Sequence, residues 1–136
     1  MLILSFPFLV IPIVIYNMIT FITPGVAWTD PVVGLRLFSG VEWRLTYGDL
    51  LLMLALLMLF VEIRKATRGS TKSVVDHMLS TLVFVWAAVE FLVLPQAGNS
   101  TFAMLAIICL IEMMSAMWVM IRTIRRQPHV RYRVET

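Results

Sequence analysis

Few residues of this sequence could carry chemistry, and the two most unusual are glutamates inside apolar runs, Glu90 and Glu112. A carboxyl group in such a run either forms a hydrogen bond to a neighbouring helix or carries a proton or cation. We favour the hydrogen-bonding role, because transport usually needs a water-filled route and a charged partner. No basic residue lies in the middle of an apolar run to act as that partner. The proton or cation site stays open as the alternative.

Two weaker patterns could bind a cofactor. Cys109, Met113 and Met117 follow one another at four-residue spacing, and soft sulfur ligands select Cu(I). His77 could share a haem iron with another subunit. We expect neither cofactor, because methionine is an ordinary packing residue and the chain has ten of them. The sequence also lacks a phosphate-binding glycine loop, a His-Glu-x-x-His motif and a nucleophile with a base, so we expect no enzymatic activity.

Composition indicates which elements must position these residues. Of the 136 residues, 60% are apolar and 14% are charged, whereas soluble domains average about 45–50% apolar and about 25% charged. This balance excludes a soluble globular protein, and the high hydrophobicity excludes disorder. The length allows one domain. The single cysteine excludes a disulfide framework within the chain.

Hydropathy predicts an all-α membrane protein that is a single four-helix transmembrane bundle. A spanning helix needs about 20 mostly apolar residues. The second predicted span is the weakest, because its uninterrupted apolar run, 50–61, is short. The four spans are predicted at residues 2–23, 46–63, 73–94 and 101–121.

The basic residues predict the orientation of this bundle. Nine of the eleven fall in the predicted loop 64–72 or in the tail 122–136, and basic residues concentrate on the cytoplasmic side of membrane proteins. Both termini are therefore expected in the cytoplasm, with a bacterial cytoplasmic (inner) membrane as the expected location. We expect contact with anionic lipid headgroups or a partner protein, and not with nucleic acid. The residues predicted to make it are Arg64, Lys65, Arg68, Lys72, Arg122, Arg125 and Arg126.

The outer loop, residues 24–45, is predicted to contain a β-hairpin at 33–45. Apolar and polar residues alternate on both sides of Gly40, and a three-residue loop with a left-handed glycine is a common hairpin closure. One face of the hairpin is then apolar, and the other carries an opposite-charge pair. This closure sets Leu37 opposite Val41, Arg36 opposite Glu42, and Leu35 opposite Trp43.

The hairpin is expected to lie on the outer membrane surface and to offer a contact surface. A lone hairpin is marginally stable unless it packs on something. Tryptophan and tyrosine are enriched at membrane interfaces, which predicts this position for Trp28, Trp43 and Tyr47. The predicted contact surface consists of Trp28, Arg36, Glu42 and Trp43.

Depth along the predicted spans suggests partners for the two glutamates. At 1.5 Å per residue, Glu90 lies roughly 7 Å and Glu112 roughly 17 Å from the outer ends of their spans. Pro12 in the first span frees the carbonyl of Phe8 from helical bonding, so we expect a protonated Glu112 to donate a hydrogen bond to that carbonyl. Asn17 lies near the depth of Glu90 and is expected to pair with it.

The remaining acids within or beside the spans have plainer explanations. Thr46-x-x-Asp49 and Ser73-x-x-Asp76 match the capping box at the beginning of a helix. Glu62 lies close to Arg64 and Lys65 at the cytoplasmic boundary, which predicts a local charge pair.

These features predict a non-catalytic accessory or scaffold subunit of a larger membrane complex. The hairpin, the Met-rich fourth helix and the basic tail are the surfaces suited to another membrane protein or to a second copy of the chain. The alternative is a small proton- or cation-coupled transporter that uses Glu112 and Glu90.

Overall fold

The computed structural model describes residues 6–66 and 73–125 of the chain. The fold is mostly helical, with one small antiparallel sheet. A short 3₁₀ turn, Pro95–Ala97, connects the last two helices. In chain order the other elements are α1 (Val10–Ile22), β1 (Pro31–Arg36), β2 (Glu42–Thr46), α2 (Tyr47–Ala66), α3 (Ser73–Val93) and α4 (Ser100–Arg125).

Two of the four described helices are long and apolar enough to cross a membrane: Val74–Val93 within α3 and Ser100–Arg122 within α4. In α2 the apolar residues are bounded by Asp49 in the first turn and by Glu62 near the end. Large apolar side chains also face outward, as shown by Leu92, which is 80% exposed. Water-soluble proteins rarely expose contiguous apolar surface of this kind, so the exterior and the two long helices support membrane association.

The first helix is shorter than predicted. Residues 2–5 of the predicted span lie outside the described part of the chain, and α1 begins only at Val10 and has 13 residues. Pro7 and Phe8 precede it in tight turns, where their carbonyls accept the N–H groups of Val10 and Ile11 at 3.2 and 3.0 Å. The helix itself is therefore only about 20 Å long, less than the roughly 30 Å of a hydrocarbon core.

Helix α4 forms the centre of the packing, against α3 and α2, while α1 packs mainly on α2. Small residues line these contacts, and Ala55 of α2 and Ala87 of α3 are fully buried. The face of α4 that contains Cys109, Glu112 and Ala116 is also buried. Small side chains allow neighbouring helices to approach closely, which explains why this face turns inward.

The hairpin is confirmed with the predicted register. Arg36 lies opposite Glu42 and Leu35 opposite Trp43, and Gly40 adopts a positive φ of 85° that few other residues tolerate. The predicted cross-strand ion pair is wrong, because Glu42 pairs with Arg44 of its own strand at 3.3 Å, two residues away. Side chains two residues apart on one strand point to the same face of the sheet, so Arg44 can reach Glu42 without crossing to the other strand.

The segment before the hairpin is packed onto the helices. The Trp28 ring stacks on Tyr16 of α1 with ring centroids 4.6 Å apart, and its Nε1 donates to Thr20 at 3.2 Å. Trp28 is therefore packed on α1 and only partly exposed, whereas Trp43 and Tyr47 are exposed; the predicted contact role of these residues stays a prediction. Gly48, in the first turn of α2, lies close to both this segment and α4, since an added Cβ would stand 3.1 Å from the Trp28 carbonyl oxygen and 2.6 Å from Thr101 Oγ1.

One predicted capping box is confirmed. The Thr46 N–H donates to Asp49 Oδ2 at 2.9 Å, and the Asp49 N–H donates to Thr46 Oγ1 at 3.2 Å. This reciprocal pair satisfies N–H groups that a helix leaves free at its beginning. For the second box, Asp76 lies in the first turn of α3, and the Ser73 side chain lies outside the described part of the chain.

Candidate functional site

Polar side chains from three helices line a small, partly open space, which we call the polar pocket. It lies between the last turns of α2, the first turns of α3 and the second half of α4, and its volume is about 20 Å³. That volume accommodates roughly one water molecule. Its polar lining residues are Glu62, Lys65, Asp76, Ser80, Glu112 and Ser115.

Glu62 and Lys65 attach the segment before α1 to the end of α2. They form an ion pair of 2.6 Å, and the Glu62 carboxylate also accepts the Phe8 N–H. Lys65 Nζ donates to the Phe6 carbonyl at 3.0 Å and lies 5.0 Å from the centre of the Phe8 ring. A carboxylate at this position satisfies an N–H that the turns before α1 leave free.

The structure confirms the predicted proximity of Glu62 and Lys65, but their burial was not foreseen. Glu62 is 6% exposed, and the Lys65 side chain is 12% exposed. Lys65 is therefore largely engaged by contacts within the chain. No sequence signal pointed to this, because Phe8 is 54 residues from Glu62 along the chain.

Glu112 connects α4 to α3 and not to α1, so its predicted bond to the Phe8 carbonyl is wrong. Its Oε1 accepts a hydrogen bond from Ser80 Oγ at 2.9 Å. The Phe8 carbonyl instead accepts the Ile11 N–H, and α4 packs far more on α3 than on α1. Among the described residues, Glu112 Oε2 and Asp76 Oδ1 are buried without a hydrogen-bond partner.

Asn17 and Glu90 line a second space, an open cleft of about 360 Å³ beside α1 and α3, which we call the outer cleft. The prediction that they lie at one level is confirmed. The two side chains lie close enough to interact, but no hydrogen bond of normal geometry joins them, since Asn17 Oδ1 and both Glu90 carboxyl oxygens are buried without such a partner in the described part of the chain. The other lining residues are Trp86, Val89, Val93 and Leu94.

A hydrogen-bonded aromatic cluster near the outer cleft was missed by the sequence analysis. Tyr16 is 1% exposed and lies between the rings of Trp28 and Phe102, each with its centroid 4.6 Å away. Its hydroxyl donates to the Gln96 carbonyl at 2.8 Å and accepts from the Asn99 amide. Asn99 also caps α4, accepting the Phe102 N–H at 3.0 Å, and an asparagine just before a helix is a signal for that role.

The other predicted contact residues lie mainly on the surface. Arg64 lies 5.7 Å from the Phe60 ring centre, and Arg122 lies 5.0 Å from that of Trp118. Arg125 is exposed in the last turn of α4. The remaining predicted basic contacts, Arg68, Lys72 and Arg126, lie outside the described residues.

The residues considered for copper and haem lie in different surroundings. Cys109 is fully buried, whereas Met117 is exposed, so with Met113 they do not form one open face. His77 lies near the beginning of α3, where its carbonyl accepts the Thr81 hydroxyl at 2.8 Å. Across residues 6–66 and 73–125, no three His, Cys, Asp or Glu side chains are arranged to hold a metal ion.

Comparisons with known proteins supply no family for this chain. No protein-family model, curated protein or solved structure matches it. Its function must therefore be inferred from its own geometry.

Proposed function

We propose that this protein is a non-catalytic accessory or scaffold subunit of a larger membrane complex. The observation that supports this most directly is the hairpin, whose β1 residues are all exposed. A two-stranded hairpin is marginally stable by itself, so its apolar face needs cover from outside the chain. That face carries Val33, Leu35, Leu37, Val41 and Trp43, all of them exposed.

All four helices would cross the membrane in this proposal, including α1. Phe8, before α1, is held by Glu62 near the end of α2, and the Trp28 carbonyl, after α1, accepts the Gly48 N–H at 2.9 Å. The segment from Phe8 to Trp28 therefore runs antiparallel to α2 along most of its length. With both termini in the cytoplasm, the hairpin lies at the outer surface, and a bacterial cytoplasmic membrane is the proposed location.

The contacts of the buried acids support a structural role inside the bundle. Glu62 joins α2 to the segment before α1, and Glu112 joins α4 to α3. Hydrogen bonds between spanning helices contribute about 0.6 kcal/mol on average and up to about 1–2 kcal/mol. These acids hold the bundle together and leave its exterior available for contact with a partner.

The experiment is purification of the full chain from membranes in mild detergent, followed by native mass spectrometry. Leu35→Ser changes the apolar face of the hairpin, and Arg36→Ser changes the opposite face one residue further on. We expect a stoichiometric partner protein with the unaltered chain and with Arg36→Ser, and its loss with Leu35→Ser. Recovery of the unaltered chain solely as a homo-oligomer, or equal behaviour of the two variants, would contradict the accessory role.

A second candidate function is proton- or cation-coupled transport through the polar pocket. It is favoured by one observation, the buried and unpartnered oxygens Glu112 Oε2 and Asp76 Oδ1 in the same pocket. The test is ion flux into vesicles that contain the purified chain. The transport function is supported if the unaltered chain conducts ions and folded Glu112→Gln does not. Absence of ion flux with the unaltered chain would exclude it.

A further inference from the structure

The outer cleft has an unusual polar composition, because its unpartnered polar atoms are all acceptors. Both carboxyl oxygens of Glu90 and the Oδ1 of Asn17 are buried and accept no hydrogen bond from the described residues. Glu90 is 6% exposed, and a buried acceptor without a hydrogen bond destabilises the folded chain. No lysine or arginine lines the cleft. A ligand that fits this site must supply several hydrogen-bond donors.

The position of Glu90 on its helix favours a ligand with positive charge. Helix α3 ends at Val93, so Glu90 lies within its last turn. The last turn of a helix carries partial negative charge from its free carbonyl groups, which favours cations and disfavours a second negative group. A cation in the cleft would offset both the partial negative charge of the helix end and the negative charge of the Glu90 carboxylate.

The walls of the cleft suit an apolar body with a charged end. Trp86 lies one turn before Glu90 on α3, so its side chain is on the same side of the helix, and it lines the same cleft. Aromatic rings attract ammonium groups through their π faces. The remaining walls are aliphatic, and the volume of about 360 Å³ is within the usual range for ligand pockets, about 300–1,000 Å³.

We propose that the outer cleft binds a primary ammonium group attached to an apolar chain. A primary ammonium has three N–H donors, which equals the number of unpartnered acceptors that Glu90 and Asn17 present. The ammonium group binds at Glu90 beside Trp86, and the apolar chain lies along Val89 and Val93. The source is either the ethanolamine headgroup of a phospholipid or a free lipophilic amine. This site requires no partner protein and is independent of the accessory role.

The test of the chemistry compares octylamine with octanol as probes. Their binding to the purified full chain is measured by calorimetry in nanodiscs of phosphatidylcholine, whose headgroup has no N–H donor. Charge-assisted hydrogen bonds predict that octylamine binds about tenfold more tightly than octanol, or better. Glu90→Gln is expected to remove this preference, while Glu112→Gln, which alters a buried glutamate elsewhere, keeps it.

A second variant covers the case in which Glu90→Gln does not fold. Trp86→Leu keeps an apolar wall and removes the ring, so octylamine binding is expected to weaken about threefold with octanol binding unchanged. Equal binding of the two probes to the unaltered chain would overturn the proposal. A preference that survives Glu90→Gln in folded protein would overturn it as well.

The lipid source is tested in nanodiscs of equal parts phosphatidylcholine and phosphatidylethanolamine. Native mass spectrometry then counts the lipids retained by the chain. Enrichment of phosphatidylethanolamine that Glu90→Gln removes supports the site with a lipid headgroup as its ligand. An octylamine preference without this enrichment supports the site with a free amine. Absence of both effects contradicts the proposal.

Discussion

Glu62 and Glu90 are each 6% exposed, yet their surroundings differ completely. Glu62 accepts a backbone N–H and pairs with Lys65 at 2.6 Å, whereas neither carboxyl oxygen of Glu90 has a hydrogen bond of normal geometry to a described residue. Removing a partnered buried charge leaves its partner unpaired, while removing an unpartnered one relieves a cost. The comparison therefore separates an acid that holds the fold together from one that is available to a ligand.

The largest effect is expected at Glu62. Glu62→Ala leaves the buried ammonium group of Lys65 without its counter-ion and should lower the free energy of unfolding by about 3 kcal/mol. Reversible unfolding in mixed micelles measures the change. Glu42→Ala is the control, because it removes an exposed ion pair worth about 0–1 kcal/mol. If Glu62→Ala and Glu42→Ala lower the free energy of unfolding equally, the buried ion pair stabilises the fold no more than the exposed one does.

Ser80→Ala tests the hydrogen bond between Ser80 and Glu112. The variant leaves Glu112 Oε1 without its bond from Ser80, and the free energy of unfolding should fall by between about 1 and 2 kcal/mol. Thr81→Ala is the neighbouring control, because the Thr81 hydroxyl bonds within its own helix, and it should cost less. In the Glu112→Leu background, which has no acceptor for the Ser80 hydroxyl, the Ser80→Ala loss should shrink, and an unchanged loss would show that the two residues act separately.

Asp49 is a partnered acid at a helix end. Asp49→Ala removes the reciprocal bonds with Thr46 and should lower the free energy of unfolding by about 1 kcal/mol. The loss is measured in the same micelles. Asp49→Asn keeps an acceptor at the cap and should recover most of the stability. If Asp49→Asn is as unstable as Asp49→Ala, charge and not the hydrogen bond is the stabilising feature.

The smallest effect, of opposite sign, is expected at Glu90. Glu90→Leu replaces unsatisfied acceptors by an apolar group of similar size and should raise the free energy of unfolding by up to about 1 kcal/mol. Thermal unfolding without added ligand detects this gain. A clear loss of stability would mean that Glu90 has a structural partner and would end the comparison with Glu62.

Much of the fold was predictable from local sequence. The Thr46–Asp49 cap and the hairpin around Gly40 were found because their signals lie within a few residues of each other. Prediction was weaker where a proline-containing turn competes with an apolar run, so that α1 begins at Val10 and not at the start of the run. A run of apolar residues predicts an apolar environment, but it does not show at which residue the helix begins.

The candidate sites were only partly predictable, because their partners lie far apart in sequence. Depth along the spans correctly brought Asn17 to the level of Glu90. The same reasoning assigned Glu112 to Phe8, and Ser80 is its partner instead. Depth fixes the height of a residue in a bundle but not the helix that it faces. The charge pair of Glu62 was predicted from local sequence, but its burial was not, because that burial depends on the distant segment around Phe8.

The sequence by itself determined that the chain is apolar and helical, that its outer loop closes as a hairpin, and that Glu90 and Glu112 lie within apolar helices. These properties follow from composition, periodicity and turn chemistry, which act over a few residues. Only the tertiary structure decided which of the acids have partners. That outcome depends on which helix faces which, and the packing of small residues such as Ala55, Ala87 and Cys109 sets those contacts.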